Sequence, residues 1–90
     1  MKAYIYRTSK LFGTKDKATE KILKDNSIPY TKENIKANGC WYNDSVLAYV
    51  VTINNLEELI GLHRIFEEKL IIEETSKGEL LIEVYDDYRE

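Results

Sequence analysis

Val46-Leu47-Ala48-Tyr49-Val50-Val51-Thr52-Ile53-Asn54-Asn55-Leu56-Glu57-Glu58-Leu59 is the stretch whose reading decides the fold. Its first eight residues are rich in β-branched and aromatic side chains and apolar on both faces, which predicts a central strand over Val46 to Ile53. Asn55 then offers a side-chain oxygen to orphan amides, and Glu58 three positions on completes a capping box. A helix follows, with Leu56, Leu59, Ile60, His63 and Phe66 as its expected buried stripe. A strand running straight into a capped helix calls for a further strand beyond it. Leu70 to Glu74 supplies one, and a Thr75-Ser76-Lys77-Gly78 turn leads to another over Glu79 to Tyr85.

Working towards the N-terminus gives a similar unit. Ala3 to Arg7 reads as a strand alternating Tyr4/Tyr6 against Ala3/Ile5. Gly13 breaks it, Thr14 is placed to cap a helix, and Lys15 to Asp25 follows with Ala18, Ile22 and Leu23 inward. Asn26 and Pro29 stop that helix. Tyr30 to Ala37 is a polar strand suited to an edge, and Asn38-Gly39 is a tight-turn signal leading back to Val46. The order predicts one α+β domain over residues 1–90. Its expected form is a ferredoxin-like βαββαβ sandwich with an extra C-terminal strand, two helices covering one face of an antiparallel sheet.

Ninety residues with one cysteine, Cys40, hold neither an internal disulfide nor a cysteine-built metal cage. Met1-Lys2-Ala3-Tyr4-Ile5-Tyr6-Arg7 reads as a strand rather than a secretory leader, and no apolar run reaches membrane-spanning length. A cytoplasmic protein without membrane contact is expected. The glycines at 13, 39, 61 and 78 are isolated, so no phosphate loop is written in the chain, and the acids lack the spacing of a calcium loop. His63 has no nucleophile or base pattern beside it and reads as a packed side chain. Cys40 has only Lys36 as a nearby base along the chain. No catalytic residue, metal or cofactor is expected.

Charge is the functional signal that remains. Residues 46–90 carry eleven Asp or Glu against four Lys or Arg, while residues 1–45 carry five against nine. The acid extends into a tail, about residues 84–90, that interleaves carboxylates with tyrosines. Carboxylates attract Lys/Arg grooves and aromatics supply interface burial, a combination suited to protein contact. The candidate partner-binding residues are Glu73, Glu74, Glu83, Tyr85, Asp86, Asp87 and Tyr88.

Glu83-Val84-Tyr85-Asp86-Asp87-Tyr88-Arg89-Glu90, with the Asn55-Leu56-Glu57-Glu58-Leu59 helix start, resembles small phage and mobile-element proteins of low-GC Gram-positive bacteria over the last third of the chain. Anti-CRISPR inhibitors are among such proteins. The resemblance implies an inhibitor that meets a basic groove of a host nucleic-acid-handling protein. A separate resemblance concerns Tyr4 and Tyr49, which are similar to two base-stacking positions of RNA recognition motifs. The third strand lacks that motif's Lys/Arg-Gly start, and a net charge of −3 opposes a polyanion, so direct nucleic-acid binding is not expected. A homodimeric module that covers the sheet face around Tyr4, Tyr6 and Tyr49, with or without a small ligand, is the alternative.

Overall fold

The computed structural model describes residues 1–7, 14–36 and 45–85, the side chains of 14–16, 45 and 85 excepted. In chain order the elements are β1 (Lys2–Tyr6), α1 (Thr14–Asp25), β2 (Thr31–Lys36), β3 (Ser45–Thr52), α2 (Leu56–Ile65), β4 (Lys69–Glu74) and β5 (Leu80–Tyr85). The architecture is α+β, a five-stranded mixed sheet with two helices, compatible with a ferredoxin-like type. The Asn38-Gly39 turn, Cys40 and Gly13 lie outside the described residues.

The strands lie in the order β2-β3-β1-β5-β4. All neighbours are antiparallel except β1 and β5, which run parallel with Ile5 against Ile82. The expected wholly antiparallel sheet is therefore corrected to a mixed one. The reason is burial. β5 has Leu80, Ile82 and Val84 buried and Leu81 and Glu83 half-buried, whereas β4 exposes Lys69, Ile71, Glu73 and Glu74. The less polar strand takes the inner place, and the hairpin that returns it there aligns it with β1.

Both helices sit on one face. Ala3 and Ile5, Tyr49, Val51 and Ile53, Leu70, and Leu80, Ile82 and Val84 form the main core with Leu23 of α1, Leu62 of α2 and Phe66. The opposite face carries a second buried cluster of Tyr4, Tyr6, Ala48 and Val50.

Local chemistry sets the element ends. Asn55 Oδ1 accepts from the Glu58 amide at 2.9 Å, and Glu58 Oε1 accepts from the Asn54 amide at 2.7 Å, a capping box that reaches one residue further back than usual. At the end of α1 the Ile28 amide donates to Leu23 O at 2.9 Å and the Ser27 amide to Lys24 O at 3.1 Å, with Ser27 at φ 57°. That is a Schellman closure with serine in the left-handed seat glycine usually takes. The β4–β5 turn has Gly78 at φ 78°, and Thr75 Oγ1 accepts from the Lys77 and Glu79 amides.

The buried stripe of α2 differs from expectation. Leu62 is buried and Leu59 and Ile65 half-buried, while Leu56 (68% exposed), Ile60 and His63 face outward. The helix carries two apolar stripes about a third of a turn apart, and periodicity alone does not choose between them.

Candidate functional site

Strand register distributes the acidic residues. In the β4–β5 hairpin Glu73 stands opposite Leu81 and Glu83 opposite Ile71. Tyr4 stands beside Leu81 and Tyr6 beside Glu83. Because side chains alternate faces, Lys69, Ile71, Glu73, Leu81 and Glu83 share the helix-free face with Tyr4 and Tyr6. Glu73 and Glu83 are diagonal neighbours there, a relation that places side chains about 7–8 Å apart. Glu74, paired with Leu80, falls on the helix side. Tyr85 closes β5, and Asp86, Asp87 and Tyr88 lie outside the described residues.

Folding turns the charge split along the chain into a split across the sheet. From residue 67 to 85 there are six glutamates against Lys69 and Lys77, at the β4–β5 edge. At the β2 edge the lysines are largely engaged by carboxylates of their own side. Lys21 meets Asp25 at 2.6 Å, Lys32 and Lys24 meet Glu20 at 3.3 and 3.9 Å, and Lys2 meets Glu33 at 3.5 Å. Glu73 and Glu74 enter no ion pair among the described residues. The excess of acid over base thus lies at the β4–β5 end.

Tyr30 anchors the basic side. Its hydroxyl donates to the Glu20 carboxylate, and its ring meets that of Tyr49 edge to face at 5.5 Å. The hydrogen bond to Glu20, then desolvation and the carboxylate's charge, push the phenol from 10.0 up to about 12. The same bond, then Lys32, holds the Glu20 carboxyl below its usual range. A phenol whose pKa rises on folding stabilises the protein fully below pH 10 and loses that contribution as pH climbs towards 12. Thermal unfolding across that alkaline window should fall more steeply for wild type than for Tyr30→Phe. Parallel curves for the two would contradict this assignment.

Two features were missed in the sequence. Arg7, read as the end of a strand, is buried. Its Nε donates to Thr19 Oγ1 at 2.7 Å and Nη1 to Glu68 Oε2 at 2.9 Å, while Nη2 is buried without a partner among the described residues. This clamp ties β1 to α1 and to the α2–β4 connection. A buried arginine leaves no mark in periodicity, and its only signal was a charge ending an otherwise apolar strand. The second feature is an open cleft of about 790 Å³ between α2 and the connection from α1 to β2, walled by Ile28, Pro29, Val51, Ile53, Leu62 and Ile65. Glu58, the acid on its rim, is occupied in the helix cap.

The tyrosine face is corrected. Tyr49 pairs with Ile5 and points to the helix side at 2% exposure, while Tyr4 pairs with Val50 and points the other way. A pair of bases cannot stack on both from one face, and Tyr4 and Tyr6 are themselves buried. The cause is register, since a shift of one residue reverses the face of every side chain in a strand. His63 stands exposed rather than packed.

Among the described residues no group of three His, Cys, Asp or Glu is placed to hold a metal ion, and no helix is long and apolar enough to cross a membrane. No family model, curated protein or solved structure matches the chain.

Proposed function

We propose that this chain is a non-enzymatic, phage- or mobile-element-encoded binding protein that obstructs a host nucleic-acid-handling enzyme, such as a CRISPR effector, in the bacterial cytoplasm. Its frame is ferredoxin-like, with β5 as the added strand between β1 and β4. The observation that carries the reading is the gathering of Glu73 and Glu83 on one sheet face, at the end of the domain where glutamates outnumber lysines. A groove built to neutralise phosphates with Lys and Arg meets such a face with matched charge, and loses access to nucleic acid while it is occupied. Glu74, on the other face, contributes to the field rather than to the contact. Asp86, Asp87, Tyr85 and Tyr88 extend the same acidic end in sequence.

The test is inhibition of DNA cleavage by a purified CRISPR effector nuclease. Wild type should inhibit, more strongly at low than at high salt. Glu73→Lys/Glu83→Lys should weaken inhibition by tenfold or more, about 1.4 kcal/mol or above in binding. Equal inhibition by the reversed variant, or inhibition indifferent to salt, would overturn the reading.

The cleft between α2 and the α1–β2 connection favours a second reading, a module that binds a small apolar ligand there. Gly61 lines it, and a Cβ added at that position meets nothing within 4 Å, so larger residues fit. Gly61→Leu would impair a ligand-binding module and leave nuclease inhibition unchanged.

A further inference from the structure

β4 is an edge strand whose hydrogen-bonding phase can be fixed from its hairpin. The Thr75 amide donates to Glu79 O at 2.7 Å, so Thr75 and Glu79 face each other as a bonded pair. In an antiparallel ladder the bonded pairs recur at every second residue, here Glu73 with Leu81, Ile71 with Glu83 and Lys69 with Tyr85. Leu70, Ile72 and Glu74 therefore turn their amides and carbonyls away from β5. No further strand accepts them among the described residues.

The side chains make this edge unusual. An open strand reading Leu70-Ile71-Ile72 invites pairing, and edges are ordinarily guarded by charge, proline or a bulge. The β2 edge is guarded, with Lys32, Glu33, Asn34 and Lys36 along it. The β4 register runs unbroken from Lys69 to Glu74 without proline, and Ile71 stands 38% exposed.

We propose that β4 pairs antiparallel with β4 of a second copy across a two-fold axis through Ile71, joining two five-stranded sheets into one. In this register Leu70 and Ile72 exchange both backbone bonds with the partner's Ile72 and Leu70. Ile71 packs on the partner's Ile71, and Lys69 stands directly opposite the partner's Glu73 on the helix-free face, twice over by symmetry. Opposite charges at facing positions stabilise a strand pair, and an isologous contact repeats each gain. Lys69 also has a contact within its own chain, and three ammonium donors leave capacity for another. Moving the axis to Ile72 would place Lys69 opposite Thr75 and lose the charge match, so charge selects the register. At the ends Glu74 stands opposite the partner's Glu68, a like-charge pair that would oppose the register were Glu68 not already compensated by Arg7 within each chain.

Glu73 belongs to both surfaces, and the two readings are separated by Lys69→Glu, which attacks the dimer and leaves Glu73 and Glu83 in place, and by Glu83→Lys, which attacks the acidic face alone. Light scattering over a concentration series should find a monomer–dimer equilibrium. Lys69→Glu should weaken it by about tenfold, Lys69→Glu/Glu73→Lys should restore it, and Glu83→Lys should leave it unchanged. In a Cys40→Ser background, Ile71→Cys should form a disulfide-linked dimer on mild oxidation and Ile72→Cys should not, since only position 71 faces its own copy. Circular dichroism checks that each variant is folded. A monomer at every concentration, cross-linking through position 72 in place of 71, or no rescue by the charge swap would overturn the proposal.

Discussion

Arg7→Ala should destabilise the domain by about 3 kcal/mol, the largest effect of any single polar substitution in this fold. The Arg7 side chain is 2% exposed and bridges Thr19 of α1 and Glu68 before β4. Truncation removes both bonds, strands a carboxylate that is 29% exposed, and leaves a void under α1. Arg7→Met should cost less, since it keeps most of the volume and also removes the unpartnered Nη2. Glu68→Gln should cost about 2 kcal/mol because it leaves the guanidinium charged and underpaired. Urea unfolding of the three variants checks the ranking. Equal, near-zero losses would mean that the clamp is solvated rather than buried.

Ile82→Ala should cost about 2–5 kcal/mol. Ile82 is fully buried on β5, beside Ile5 of β1 and Ile72 of β4, in the core beneath the helices. The substitution tests the inner position of β5, the feature that makes the sheet mixed. Ile71→Ala, one strand further out on the helix-free face, removes the same atoms from an exposed site and should cost well under about 1 kcal/mol in the monomer. Comparable losses at the two positions would contradict the strand order.

How far the chain announced this structure depends on the range of the interactions involved. Local signals were legible. The apolar run from Val46 to Ile53, the Asn55–Glu58 cap and the turn ending at Gly78 each act within a few residues, and the seven elements fall within a residue or two of their expected limits. What depends on distant partners was not legible. The parallel pairing of β5 with β1 reflects which of two strands is better buried, a comparison that no local window contains. The face of Tyr49 depends on a register step, and the buried side of α2 on which of two apolar stripes meets the sheet. Arg7 is explained only by Thr19 and Glu68, twelve and sixty-one residues away. The candidate site divides in the same way. The acidic hairpin could be read from the sequence, but the separation of Glu74 from Glu73 and Glu83 needed the pairing.

Amide chemical-shift mapping with an oligo-arginine peptide as the basic probe tests whether the helix-free face of β4–β5 is the binding surface proposed above. Shifts should concentrate on Ile71, Glu73, Leu81 and Glu83, fade as salt is raised and be absent in Glu73→Lys/Glu83→Lys. Shifts that centre on α1 and β2, or that persist unchanged in the reversed variant, would contradict it.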